Sequence, residues 1–242
     1  MPHHCPGPQP RIEPVGRGHR DPSAVVLVLH GGRADSHSPA GGRKRLTYLR
    51  MLPFARMLAS AGRAGPLSVY MLRYRYRGWN GPDMDAFRDA QWALTELERR
   101  HPGVPVVLLG HSMGGRAALR AAGAAAVVAV CALAPWLDAG EPVEQLAGRT
   151  VLIAHGDRER WTDPRESYAY AVRAKQITDR VCRFDVFGDG HAMLRRAGDW
   201  SSLVRRFVLG ELGIEPEDPE ISNALRQPAP NGLRAALSGA ER

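Results

Sequence analysis

Short apolar runs recur along this chain. They are separated by segments in which apolar residues recur at longer intervals. The runs are rich in Val, Leu and Ile and carry almost no charge, as expected of strands buried on both faces of a sheet. We therefore predict six strands at the centre of the fold. They are AVVLVLH at 24–30, LSVYMLRY at 67–74, VPVVLLG at 104–110, AVVAVCALAP at 126–135, TVLIAHG at 150–156 and VCRFDVFG at 181–188.

The intervening segments have apolar residues spaced close to 3.6 positions apart, which predicts helices. Asp163 is placed to cap the fourth of them, with Pro164 in its first turn, and Pro53 must start or kink part of the first. Strands that alternate with helices predict a mostly parallel sheet with helices on both faces, where ligands bind at the carboxyl ends of the strands. The predicted helices span 46–62, 84–100, 112–123, 163–177 and 199–212.

The two ends of the chain differ in composition from the rest. Residues 1–23 are rich in Pro, Gly and His, and residues 213–242 are polar and Pro-rich. We expect a flexible lead over 1–23, one α/β domain over 24–212 and a disordered tail over 213–242, with weak helical potential near LRAALSG.

Composition excludes several classes of function. The net charge of +8 comes almost entirely from arginines spread along the chain, without a basic block, and the only lysines are Lys44 and Lys175. We therefore expect no nucleic-acid partner. Cys5, Cys131 and Cys182 form no metal or disulfide pattern, so no metal or other cofactor is implied. No apolar run suits a membrane helix or a signal peptide, so a cytoplasmic location is expected.

A candidate nucleophile follows the third apolar run. The sequence Gly110-His111-Ser112-Met113-Gly114 has the form GxSxG and joins a predicted strand to a predicted helix. This is the placement of a nucleophile elbow, a tight turn that exposes the serine hydroxyl at the start of a helix and needs small residues on both sides. We predict that Ser112 is the nucleophile.

A second glycine-containing turn follows the first apolar run, in the sequence LHGGRAD. A tight turn at a strand end leaves backbone N–H groups without partners, pointing into the crevice. With the N–H of Met113, that of Gly32 or, alternatively, Arg33 could hold a developing oxyanion.

A third feature is the stretch RYRYRGWNG at 73–81, just past the second apolar run. In an extended register Arg73, Arg75 and Arg77 lie on one side of the chain and the two tyrosines on the other. The stretch could line the mouth of the crevice and favour anionic or aromatic substrates, or it could be a mixed surface edge.

Residues 24–210 resemble the α/β-hydrolase superfamily. The resemblance rests on HGG after an early strand, GHSMGG after a central strand, and a late acid followed by a later histidine. The likeness is to its small lidless branch, which includes dienelactone-hydrolase-like proteins and small esterases or acyl-hydrolases. It implies a three-layer fold with a six-stranded, mostly parallel sheet. A large lid is not expected, because residues 136–148 form only a short connection.

The same resemblance implies the other two members of a catalytic triad. His191 follows the last predicted strand, in FGDGHAM, and takes the position of the general base. The family's acid usually stands three residues after a glycine, which from Gly156 gives Glu159; Asp157 is the alternative acid. We assign Asp163 to its helix cap instead.

The expected activity is therefore hydrolysis of a small-molecule ester or thioester through an acyl-enzyme on Ser112, without a metal or organic cofactor. Two alternatives remain open from the sequence. One is a non-enzymatic binding protein with this fold, and the other is an acyltransferase or peptidase that uses the same triad. The sequence gives no oligomeric state.

Overall fold

The computed structural model describes residues 7–41, 45–61 and 66–237. Its centre is an eight-stranded sheet in the order β1-β3-β2-β4-β5-β6-β7-β8, in which β1 is antiparallel to β3 and every other pair is parallel. The strands are β1 Arg11–Pro14, β2 Ala24–Leu29, β3 Leu67–Arg73, β4 Val106–His111, β5 Val127–Leu133, β6 Thr150–Gly156, β7 Val181–Val186 and β8 Ala235–Ala236.

Helices cover both faces of this sheet, as the sequence predicted. Asp163 caps the fourth helix by accepting a hydrogen bond from the backbone N–H of Arg165, and the first helix continues through Pro53. The helices are α1 Leu46–Ala61, α2 Asp85–Arg100, α3 Met113–Ala121, α4 Pro164–Ala174, α5 Ala197–Glu211 and α6 Pro219–Arg226.

The central strands are mostly apolar because they face helices on both sides. In β2, Val25, Leu27 and Leu29 pack towards α2, α3 and α4, whereas Val26 and Val28 pack towards α1, α5 and α6. Cys131 and Cys182 are free and buried in the second of these layers; Cys5 lies outside the described residues.

The prediction of six strands is wrong in number, because two short edge strands come from the segments expected to be flexible. β1 lies within residues 1–23, and β8 lies within residues 213–242 together with α6. Edge strands of four and two residues carry no long apolar run that would mark them in the sequence. The LRAALSG segment, expected to have weak helical potential, contributes β8 instead.

The segment after α5 is held to the domain by both apolar and polar contacts. Ile221 and Leu225 of α6 are buried in the core layer that also contains α1 and α5. The Lys175 ammonium group donates hydrogen bonds to the carbonyls of Asp179, Val181 and Leu225, so it ties the end of α6 to the start of β7.

No separate lid domain interrupts the sheet between β5 and β6. The connection over 134–149, all of which is described, contains only the short helical turn Glu144–Leu146. The carboxyl ends of the parallel strands are therefore left open at one edge of the sheet, and the candidate residues lie there.

The packing of α6 predicts that its core side chain contributes to stability. Replacing Ile221 with Ala removes buried methyl groups, and we expect the free energy of unfolding to fall by about 2–4 kcal/mol. Urea unfolding followed by circular dichroism measures this change. Asn223→Ala, at an exposed position on the same helix, is the control and should change stability by less than about 0.5 kcal/mol. Equal effects of the two substitutions would contradict the packing of α6 on the core.

Candidate active site

Ser112 lies in the turn between β4 and α3. Its backbone has φ 56° and ψ −120°, a conformation that non-glycine residues rarely adopt and that costs about 1–3 kcal/mol. The turn is held by its neighbours, because the Ser112 N–H donates to the Leu133 carbonyl at 3.0 Å and its own carbonyl accepts from Trp136 at 3.2 Å. The strand, turn and helix thus have the geometry that the GxSxG pattern predicted.

Two glycines make this turn possible for a steric reason. A Cβ atom on Gly110 would lie well under 3.0 Å from the Gly114 carbonyl, and one on Gly114 would lie equally close to the Leu29 carbonyl. Backbone atoms cannot move aside as the end of a side chain can, so any other residue at these positions would push α3 away from β2 and β4. The requirement for small residues two positions before and after Ser112 follows from these contacts.

The turn after β2 approaches the same point. A Cβ on Gly32 would collide with the Met113 side chain and the Arg77 carbonyl, so the main chain passes directly over the start of α3. The Arg33 N–H donates to the Arg77 carbonyl at 2.9 Å, which leaves it unable to hold an oxyanion. For the N–H groups of Gly32 and Met113 there is no acceptor within the part of the chain that the structure describes. Of the two alternatives in this turn, only Gly32 has a free N–H.

His191 and Glu159 form a close pair beside this turn. The Nδ1 atom of His191 lies 2.8 Å from Oε2 of Glu159. The other oxygen of Glu159 accepts hydrogen bonds from the backbone N–H groups of Arg160 and Trp161, both at 2.7 Å. The Glu159 side chain is fully buried, so its orientation is fixed on both sides.

The electrostatic environment keeps Glu159 ionised. Burial alone would raise the pKa of its carboxyl, but the hydrogen bond to His191 and those from the Trp161 and Arg160 N–H groups outweigh burial and lower the pKa to about 2. A carboxylate at this place favours the tautomer in which His191 Nδ1 carries the proton and Nε2 is free to accept one.

The two other carboxylates of this loop are directed elsewhere. Asp157 is exposed and accepts a hydrogen bond from the Gly188 N–H at 2.6 Å, while Asp163 caps α4. The structure therefore brings Glu159, and not the alternative Asp157, into contact with His191.

Asp189 is a residue of this region that the sequence reasoning missed. Its buried carboxylate accepts hydrogen bonds from the Arg196 N–H at 2.9 Å and from the Trp200 indole at 3.0 Å, and its carbonyl accepts from the Arg158 N–H. These bonds fix the loop that carries His191 against α5 and against the Glu159 loop. The signal in the sequence was an acid two residues before the histidine, which has no distinctive spacing.

Rings on two sides restrict the His191 imidazole. The Trp161 indole lies parallel to it, with centroids 5.9 Å apart, and the His111 ring lies 4.6 Å away. Nε2 of His111 lies 3.0 Å from the His191 carbonyl. Burial, with the nearby positive charge of His191 and Arg50, keeps the pKa of His111 well below its usual range. A neutral His111 that donates from Nε2 thus holds the main chain of His191.

The other strand-end histidines, His30 and His155, make contacts within the fold. Burial lowers the pKa of His30 to about 4, and its ring contacts Tyr48 and Tyr74. Burial also lowers the pKa of His155 to about 3, and its two nitrogens face the hydroxyls of Ser167 and Thr162.

These elements meet at a cavity of about 860 Å³. Ser112, His191, Gly32 and Met113 all line it, and Glu159 lies behind His191. Of the three arginines in RYRYRGWNG, only Arg77 lines the cavity. The lining also includes Leu46 and the largely exposed Trp161.

The remaining two arginines of that stretch form ion pairs. Arg73 lies 3.4 Å from Glu13, and Arg75 pairs with Asp85 and Asp89 at 3.0 and 2.5 Å. For these two positions the prediction of a mixed surface edge is the better description.

A group of possible metal ligands lies elsewhere. Among the described residues, His37, Asp83 and Asp85 bring one ligand atom each within 4.8 Å of the others. Asp85 already accepts hydrogen bonds from Arg75 and Asn80, and none of the three residues lines the cavity.

The sequence also matches the model of a known protein family. A family model described as "Alpha/beta hydrolase family" matches residues 25–239, which is most of the chain. No curated protein matches the sequence.

Solved structures share the fold at low sequence identity. An α/β serine hydrolase homologue from Coxiella burnetii is 16% identical with a TM-score of 0.62, over 84% of this chain and 94% of that one. An α/β serine hydrolase without a lid from Xanthomonas campestris is 18% identical with a TM-score of 0.59, over 87% and 90%. An esterase from Pyrococcus furiosus is 14% identical with a TM-score of 0.58, over 82% and 89%. At these identities the likeness concerns the fold.

Over the described ranges, none of the helices has both the length and the apolar character needed to span a membrane.

The low pKa of Glu159 predicts a pH dependence of stability. The pKa falls from 4.5 to about 2 on folding, so the ionised carboxyl stabilises the fold above pH 4.5, and this contribution is lost as the pH falls towards 2. Because solvent screens part of this shift, we expect the contribution to be about 1–2 kcal/mol. We expect the stability difference between wild type and Glu159→Gln to shrink over this range, measured by urea unfolding at several pH values. Asp35→Asn, at an exposed carboxylate, should show a smaller pH-dependent difference; a constant difference for Glu159→Gln would contradict the interpretation.

Proposed function

The chain belongs to the alpha/beta hydrolase family, and on that premise we propose that it is a serine hydrolase that cleaves an ester or thioester through Ser112, His191 and Glu159. The observation that carries the proposal is the 2.8 Å contact between His191 Nδ1 and Glu159 Oε2, beside the cavity that Ser112 and His191 both line. A nucleophile in an elbow, a histidine and a buried carboxylate behind it are the parts that acyl transfer requires.

In the first step, Ser112 Oγ attacks the substrate carbonyl carbon while Nε2 of His191 takes the hydroxyl proton. The carbonyl π electrons move to oxygen and give a tetrahedral oxyanion. The N–H groups of Gly32 and Met113 are free to donate to this oxygen, and the positive end of α3 lies beside it. Collapse of the intermediate breaks the bond to the leaving group, which takes the proton from His191.

In the second step, water attacks the acyl-enzyme. His191 removes a proton from the water, the oxyanion forms again in the same place, and the Ser112 oxygen leaves with the proton returned by His191. The products are a carboxylic acid and the free enzyme. In both steps the ionised Glu159 holds the tautomer in which Nε2 of His191 is free to accept a proton, and it then stabilises the imidazolium that forms.

The mechanism requires the Ser112 hydroxyl to reach Nε2 of His191. No hydrogen bond joins the two side chains in the structure, although both residues are described. Such bonds are often long in free enzymes and shorten when substrate binds. The rings of Trp161 and His111 lie beside the imidazole, with centroids 5.9 and 4.6 Å away.

An open cavity of about 860 Å³ supports a small or accessible acyl group. No lid domain follows β5, so the substrate does not need to displace one. Leu46 and Trp161 supply apolar surface at the cavity for the non-reacting part of the substrate.

The nucleophile assignment predicts loss of both labelling and turnover in Ser112→Ala. Wild type should react with a fluorophosphonate probe and hydrolyse 4-nitrophenyl esters or acyl thioesters, and Ser112→Ala should lower kcat by about 10⁴-fold or more. The readouts are probe labelling on a gel and absorbance of the released product, with folding checked by circular dichroism. Equal rates in the two proteins would reject Ser112, and a wild type that neither labels nor turns over would favour a non-enzymatic binding protein.

The acid assignment predicts unequal effects of two neighbouring substitutions. Glu159→Gln should lower kcat by about 10²–10⁴-fold, because a neutral amide no longer stabilises the charged imidazole or fixes its tautomer. Asp157→Asn is the matched control and should remain within about twofold of wild type, since Asp157 contacts only the loop at Gly188. A larger loss in Asp157→Asn than in Glu159→Gln would move the acid to Asp157.

A further inference from the structure

Four arginines line the cavity that contains Ser112 and His191. Arg33 follows β2, Arg45 and Arg50 lie at the start of α1, and Arg77 follows β3. Three separate segments therefore place guanidinium groups around one space. Within the described part of the chain, no Asp or Glu lines this cavity.

The four guanidinium groups are also without partners. Among residues 7–41, 45–61 and 66–237, no carboxylate lies within ion-pair distance of Arg33, Arg45, Arg50 or Arg77, and no carbonyl accepts a hydrogen bond from their side chains. The neighbouring Arg73 and Arg75 show the contrast, because both are paired with acids. The charges in the cavity are thus not part of the ion pairs that support the fold.

Holding these charges together is unfavourable for the free protein. Arg45, Arg50 and Arg77 are half-buried. Loss of solvent and then the charges of Arg45 and Arg33 lower the pKa of Arg77, and burial lowers the pKa of Arg50. An anion in the cavity would relieve this repulsion and would satisfy donors that have no other acceptor.

The acid behind His191 cannot serve as that anion. Glu159 is fully buried behind His191, and its oxygens are occupied by the imidazole and by backbone N–H groups. The counter-charge must therefore come from a bound molecule. Guanidinium groups bind carboxylates and phosphates through paired hydrogen bonds, which makes these two groups the best match.

We propose that the cavity binds an ester or thioester that carries an anionic group, a carboxylate or a phosphate, which the arginines hold while the scissile carbonyl lies at Ser112. The inference rests on the proposed function and narrows it to a class of substrate. The anionic group can belong to the acyl part or to the leaving group, because a substrate extends both ways from its scissile carbonyl.

Matched substrate pairs test the preference. For the acyl side, the mono-4-nitrophenyl ester of adipic acid is compared with its methyl ester, which has the same chain without the charge. For the leaving-group side, acetyl-coenzyme A is compared with S-acetyl-N-acetylcysteamine, which has the same thioester without the phosphates. We expect kcat/KM to be at least about tenfold higher for the charged member of one pair, and the preference to shrink with added salt.

Arginine substitutions test the assignment of the site. Arg50→Gln and Arg77→Gln should each lower the ratio of kcat/KM for the preferred charged substrate to kcat/KM for its neutral partner by about tenfold. Arg56→Gln, on the exposed face of α1, is the control and should leave both unchanged. Arg77→Lys keeps the charge and should recover part of the loss.

Binding without turnover separates this inference from the proposed function. Calorimetric titration of Ser112→Ala with adipate or with coenzyme A should show binding. Adding Arg50→Gln or Arg77→Gln to this variant should weaken the binding, whereas adding Arg56→Gln should not. If neutral esters are hydrolysed through Ser112 without a charge preference, and neither anion binds, the inference is overturned and the hydrolase assignment stands. If Ser112 proves inactive but arginine-dependent anion binding persists, the anion site stands and the hydrolase assignment falls.

Discussion

The contact between the first turn of α3 and the end of β2 is the constraint on which this structure depends. Gly114 brings the helix main chain against the Leu29 carbonyl, and Gly110 lets the end of β4 approach the same turn. Only this close approach lets the chain pass from β4 to α3 within one residue, with Ser112 at a positive φ. The same turn brings the Met113 side chain against Gly32. One steric contact thus fixes the turn that carries Ser112 and its approach to Gly32.

The other half of the site depends on polar contacts between loops. The loops after β6 and β7 are joined by the hydrogen bond from the Arg158 N–H to the Asp189 carbonyl and by that from the Gly188 N–H to Asp157. Asp189 then fixes the second loop to Arg196 and the Trp200 indole. The relative position of Glu159 and His191 therefore depends on these hydrogen bonds between the two loops and not on either loop alone. A fully buried carboxylate is stable there because every one of its contacts is a donor.

Much of this could be predicted from the sequence, for identifiable reasons. Strands covered on both faces read as unbroken apolar runs, so the central six were found almost to the residue, and GxSxG in a strand-to-helix turn located Ser112. β1 and β8 could not be found, because short edge strands bury little side-chain area. The choice between Glu159 and Asp157 needed coordinates, since both lie in the same short loop. The acid two residues before His191 has no distinctive spacing that would reveal the role of Asp189. The grouping of the four cavity arginines depends on how three separate segments fold together.

Substitutions of the cavity arginines and of the glycines around Ser112 differ in their expected effect on the fold. A change at Gly110 or Gly114 meets backbone atoms, whereas the side chains of Arg33, Arg45, Arg50 and Arg77 form no ion pair or hydrogen bond with the described residues. Replacing one of them leaves no protein group unsatisfied. The frame that positions Ser112 therefore tolerates little change, whereas the arginines of the cavity can be replaced without disturbing it. A fold built this way can exchange one ligand preference for another without first losing its stability.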